Sequence, residues 1–142
     1  KEEELEIARR IANKTNETLN AVITVDELET LKKEVAAVHM DEEVEKYMIE
    51  LVSATRDPAS YGLDEIMDYI QFGASPRVSI DMFKAVKAMA FLRGKDYVSP
   101  VDIAYIIKEI MRHRLILTYE AEAEGITSDQ VIDKIVEAVA IP

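Results

Sequence analysis

Phe72-Gly73-Ala74-Ser75-Pro76-Arg77 is the stretch around which the chain is organised. The segment before it ends in aromatics and a glycine, and the segment after it is the longest amphipathic run in the sequence. Ser75 suits a helix N-cap, where a hydroxyl can accept a bond from an unpaired backbone N–H one turn in. Pro76 then falls at the first helical position, where its missing N–H costs nothing. Arg77 is the anomaly. A cation in the first turn faces the positive end of the helix dipole, which is unfavourable by about 0.3–1 kcal/mol. The free N–H groups there suit an anion instead. An arginine added to such a place points to a phosphate partner. The plainer reading is a solvated arginine that the helix tolerates, and the local pattern leaves both open.

Working outward, glycine and proline are scarce, four of each, and separate apolar runs of helical spacing. The chain therefore reads as an all-α helical bundle. After Pro76, Val78, Met82, Ala85, Val86, Met89 and Ala90 mark one helix face, opposite Asp81, Lys84 and Lys87. Such a methionine-rich face is core rather than a ligand pocket. Gly94 is placed as a left-handed cap. Ser99-Pro100-Val101-Asp102 repeats the cap-plus-proline device and opens a helix with Val101, Ile103, Ile107, Ile110 and Met111 inward. Thr127 and Gln130 form a capping box before Val131, Ile132, Ile135, Val136 and Val139.

Upstream, a first helix is expected over about residues 2 to 18, with Leu5, Ile7, Ala8, Ile11 and Ala12 as its stripe and a polar run from Asn13 to Asn20 that invites fraying. Thr24 and Glu27 form a capping box for a second helix with Leu28, Leu31, Val35 and Val38 on one face. Asp41 is placed as the cap of a third, carrying Val44, Tyr47, Met48, Leu51, Val52 and Thr55. Arg56 ends that helix, where the negative end of its dipole suits a cation. Residues 57–62 are a turn-rich break, and Leu63, Ile66, Met67 and Ile70 predict a short helix over 63–72.

The 142 residues suffice for one domain with a real core, and 49% apolar with 32% charged composition favours folding. There is no cysteine, hence no disulfide framework and no thiolate metal site. The net charge of −11 opposes nucleic-acid binding, which needs a basic face. No apolar run reaches the ~18–20 residues that span a bilayer, and no signal peptide heads the chain, so a cytoplasmic location is expected. The start at Lys1, inside an apparent helix, reads as an excised piece of a longer protein. No G-x-x-x-x-G-K-[ST] phosphate loop occurs, His39 and His113 are far apart in sequence, and no serine has a convincing base partner. By itself the chain lacks the parts for ATP hydrolysis.

FGASPR, followed by an amphipathic helix and then FLRGKDYVSPVD and MRHRLILTYEAEAEGIT, resembles the C-terminal lid region of MoxR-type AAA+ ATPases. KEEELEIARRIA resembles the first lid helix, and VHMDEEVEKYMIELVSATRDP the next family block, so the resemblance covers nearly the whole chain, 1–142, as a single helical lid. It implies that Arg77 is the sensor 2 arginine, that Gly73, Ala74, Ser75 and Pro76 shape its helix start, and that an extra helix precedes it. Arg56 is a second candidate, since the family also has an arginine there. It further implies ATP and magnesium in the full-length protein, with none held by this fragment alone. The implied partners are an N-terminal α/β ATPase domain, neighbouring subunits of a ring, usually hexameric, and proteins with von Willebrand factor A domains. The implied work is protein remodelling or metal-cofactor insertion, with Arg77 acting on its own or a neighbour's nucleotide. The rival expectation is a free-standing acidic helical module that binds a protein partner, with Arg77 serving structure only.

Overall fold

The computed structural model describes residues 1–12 and 20–142. The polar run predicted to fray, all but Asn20, and the expected second half of the first helix fall on residues 13–19 and so lie outside the described residues. The chain divides into two compact units, Lys1–Leu31 and Lys32–Pro142. In the first unit α1 spans Glu2–Ala12, with Glu2, Glu3 and Glu4 at its N-terminus and Arg9 and Arg10 at its end, a charge order that complements the helix dipole. Its apolar stripe is present, yet Leu5, Ile7 and Ile11 are exposed. α2, Val25–Ala37, starts at the Thr24–Glu27 capping box: Glu27 N–H donates to Thr24 Oγ1 (3.2 Å) and Thr24 N–H to Glu27 Oε2 (2.6 Å). The face predicted for α2 is only partly covered, because Leu28 and Leu31 are exposed and Val38, though buried, lies past the helix end.

The second unit is the helical bundle. α3 (Glu42–Ala54), α5 (Pro76–Leu92), α6 (Pro100–Met111) and α8 (Ser128–Ala138) bring together their apolar stripes. α5 packs against both α3 and α6, and α8 packs against α6 and α3. Met48, Leu51 and Val52 of α3 meet Val78, Met82, Val86 and Ala90 of α5, Ile103, Ile107 and Met111 of α6, and Val131, Ile132 and Ile135 of α8 in one core. Each large side chain so buried contributes about 1.5–3 kcal/mol, which is why i, i+3, i+4 spacing and not helix propensity fixes these elements. Val101 departs from the prediction. It is exposed, because the proline start rotates Asp102 and Ile103 inward instead. Asp41 stands at the N-cap of α3 without capping it; its carboxylate lies 3.0 Å from His39 Nε2.

Between α3 and α5 the chain makes a 3-10 turn, Pro58–Tyr61, closed by Gly62 at φ 69°, and then α4, Asp64–Met67. The helix expected over 63–72 is thus a single turn. Residues Ile70–Phe72 leave it as strand β1, antiparallel to β2, Ile116–Leu117, with Ile70 opposite Leu117 and Phe72 opposite Ile116. A one-turn helix gains too few bonds to propagate, and the backbone of 116–117 offers β1 a ladder instead. Thr118 reinforces it, since its N–H donates to Tyr69 O (3.0 Å) and its hydroxyl to Asp68 O (2.8 Å). Thr118 also caps α7, Tyr119–Ala123, a helix the periodicity did not predict. Among the described residues these two short strands form the only sheet, and the all-α reading stands.

Candidate functional site

The GASPR segment is seated on the end of α3. Thr55, almost fully buried, donates its hydroxyl hydrogen to Val52 O (2.7 Å) and accepts from Ala74 N–H (2.8 Å). One hydroxyl thereby satisfies a carbonyl at a helix end and an amide that would otherwise be buried unpaired. Gly73 is required by proximity. A Cβ there would stand 2.4 Å from Thr55 O and 2.8 Å from Arg56 Cγ, well inside contact distance. Ala74 is wholly buried at the same junction. Arg56 is therefore brought beside Gly73 through its aliphatic stem, while its Nη2 donates to Ser53 Oγ (3.2 Å).

Ser75 occupies the N-cap of α5 with extended backbone (φ −74°, ψ 161°), and Val78 N–H donates to its carbonyl at 2.9 Å. Its hydroxyl, however, makes no capping bond, contrary to the sequence reading. Pro76 is at the first helical position, as predicted. Proline already fixes φ and removes one free donor, so the start is defined without the serine hydroxyl. Arg77 follows, exposed, with no acidic residue in the first turn and no hydrogen-bond or ion-pair partner among the described residues. It lines a recess of about 450 Å³ with Ser75, Ile80, Asp81 and Arg114. Arg114 comes from the turn between α6 and β2. Its Nη2 meets Asp81 Oδ2 at 2.7 Å and its Nε donates to His113 Nε2 at 3.2 Å.

The structure thus gathers Gly73, Ala74, Ser75, Pro76 and Arg77 into one feature and lays the stem of Arg56 against it. Sequence reasoning missed Thr55, Asp81 and Arg114 as members. Thr55 had been counted only as a helix-face residue, and the Arg112-His113-Arg114 cluster was the one signal for Arg114. Its neighbour Arg112 is spent elsewhere, donating to Asp129 (2.6 Å) and Glu109 (3.1 Å), which raise its pKa further.

The site offers a guanidinium without a partner among the described residues at a helix N-terminus, chemistry suited to holding an anion. It contains no nucleophile paired with a base. Among the described residues no group of three or more histidine, aspartate or glutamate side chains could hold a metal ion, and no helix is long and apolar enough to cross a membrane.

Residues 65–135 match the AAA lid domain family. The chain is 35% identical over 141 residues to Chaperone MoxR1 of Mycobacterium tuberculosis, covering 99% of this chain and 37% of that protein. It is 37% identical over 126 residues to the uncharacterized protein YeaC of Bacillus subtilis, covering 89% of this chain and 37% of that one. It therefore spans little more than a third of the length of these curated relatives. The crystal structure of a candidate ATPase from Cytophaga hutchinsonii superposes over all of the chain and 43% of that protein, with a TM-score of 0.85 and 44% identity.

Proposed function

Since the chain belongs to the AAA lid domain family, as the C-terminal lid region of a MoxR-family AAA+ ATPase, we propose that Arg77 is the sensor 2 arginine of the assembled enzyme. The observation that carries this reading is the unpartnered state of Arg77 in a chain where acidic residues outnumber basic ones by 28 to 17. Carboxylates are abundant, yet none of those among the described residues reaches this guanidinium. Arg77 would hold a nucleotide phosphate, whose charge and geometry differ before and after hydrolysis. Thr55 and Gly73 tie the start of α5 to α3, so a pull on Arg77 would be passed to α3. Arg56 is a second candidate, placed against Gly73 but engaged with Ser53.

ATP is the substrate in this reading. Magnesium would come with the nucleotide, and in this reading its ligands belong to an N-terminal α/β domain. Assembly into a ring, usually hexameric, work with von Willebrand factor A domain proteins, chaperone-like remodelling or cofactor insertion, and a cytoplasmic location complete the proposal. Its chaperone element draws on the relative named a chaperone. The test is Arg77→Ala in the full-length ATPase. Turnover should fall by roughly tenfold to a thousandfold, the scale of losing one charge-stabilising contact. The melting temperature should hold or rise slightly. Unfolding with normal turnover per folded molecule would make Arg77 structural.

A further inference from the structure

Asp81 lies four residues after Arg77 on α5, which places the two side chains one above the other on the same face. An arginine and an aspartate at that spacing attract each other. Yet the Asp81 carboxylate is turned to Arg114, at 2.7 Å, and Arg77 is left without a partner among the described residues. Both cations and the carboxylate line the same recess, whose balance is therefore one net positive charge in a chain of −11. Arg114 is itself fixed from two sides, by Asp81 and by the His113 ring nitrogen that accepts from its Nε.

We infer that Arg114 is a positioning residue: by occupying Asp81 it keeps Arg77 free to take a phosphate and keeps the recess net positive. This rests on the sensor 2 reading of Arg77. Without Arg114 the Asp81 carboxylate would both pair with Arg77 and repel an incoming phosphate across a few ångströms of partly screened space. No other described acid lines the recess, so Asp81 alone carries that penalty.

The test is a set of variants of the full-length ATPase, titrated with AMP-PNP and magnesium. Arg114→Ala should weaken binding about 3- to 10-fold, as expected of one uncompensated charge near a polyanion. Arg114→Lys should retain most of the affinity, and Asp81→Asn alone should raise it by about twofold. The double variant Asp81→Asn with Arg114→Ala should return to within about twofold of wild type, which a purely structural tie would not do. Failure of that rescue, or a loss of affinity in Asp81→Asn alone, overturns the inference. Asp81→Asn decides the matter even if Arg114→Ala does not fold. The nitrogen resonances of the Arg77 guanidinium separate this claim from its premise. They should show Arg77 restrained in Arg114→Ala and released in the double variant. If they do so while Arg77→Ala binds and turns over normally, the sensor reading falls and the arrangement of charges stands. If Arg77 stays free in Arg114→Ala, the inference falls whatever Arg77→Ala does.

Discussion

Two helices of this chain begin with the same dipeptide, and the bundle uses them in opposite ways. α5 opens on Ser75-Pro76-Arg77 and α6 on Ser99-Pro100-Val101-Asp102. At α6 the polar side chains answer one another. Asp102 is completely buried, accepts from Ser99 N–H (2.9 Å) and Ser99 Oγ (2.6 Å), and pairs with Arg93 (3.0 Å) and Lys95 (2.9 Å). An acid in the first turn also suits the dipole. At α5 the serine hydroxyl makes no capping bond and the first turn holds a cation with no partner among the described residues. The first start closes the hairpin of α5 and α6 on itself. The second leaves its charge without a partner among the described residues. The dipeptide marks where a helix begins; the residue one or two places later says whether that beginning is closed by its neighbours or left open.

The strongest way to break the comparison is at the closed start. Asp102→Ala should cost about 3 kcal/mol, because it strands two cations; the value is at the low end for a buried pair since Arg93 and Lys95 keep access to water. Chemical denaturation of the full-length protein checks this, with a loss under 1 kcal/mol counting against it. Burial pushes the Asp102 pKa up, but hydrogen bonds from Ser99 and Lys95 outweigh it and hold it below the ordinary carboxylate range. The sign follows: this stability is present above about pH 3.9 and is lost as pH falls through the lower folded value. Asp102→Asn should accordingly flatten the acid limb of the stability curve.

A smaller loss is expected at the seat of the open start. Gly73→Ala puts a methyl 2.4 Å from the Thr55 carbonyl, a backbone atom that cannot swing aside. About 1–3 kcal/mol should be lost through overpacking, with turnover falling further than stability alone explains because Arg77 is displaced. Unchanged melting and turnover would show that the seat is soft. The finest test pairs the two serines. Ser99→Ala should cost about 1.5 kcal/mol, the loss of a hydrogen bond to a charged group, while Ser75→Ala should fall within about 0.5 kcal/mol of wild type. Equal losses in denaturation would erase the distinction between the two starts.

The bundle was legible because burial follows period. Val78, Met82, Val86 and Ala90 could be read as one stripe, and they are one stripe. Capping boxes at Thr24 and Thr127 were equally plain, since both partners sit within four residues. What could not be read depends on distant partners. Ile70 looks helical by spacing and is a strand because residues 116–117 come alongside it. Gly73 carries no local sign of need, and only the approach of Thr55 explains it. Ser75 resembles every good cap and does not act as one. Of the site, Arg77 was visible as an anomaly of charge and position; Asp81 and Arg114 were not, because their meeting is set by the fold.

The small sheet carries a consequence for the order of assembly. α5 and α6 are adjacent in sequence and can find each other early. The strand pair cannot: its flanking bonds join Thr118 to Asp68 across 50 residues and Tyr69 to Glu124 across 55. The loop-closure entropy of such contacts must be met before they return any stabilisation, so they form late. Gly73 to Arg77 hang directly from β1, and Arg114 stands just before β2. The recess is thus expected to be the last part of the bundle to mature in folding and the first to open. Amide exchange at Thr118, whose N–H is held by Tyr69 O, should then proceed by sub-global opening, well ahead of core amides such as Ile107. A kinetic trap at this step would leave a bundle that is fully helical yet without its recess.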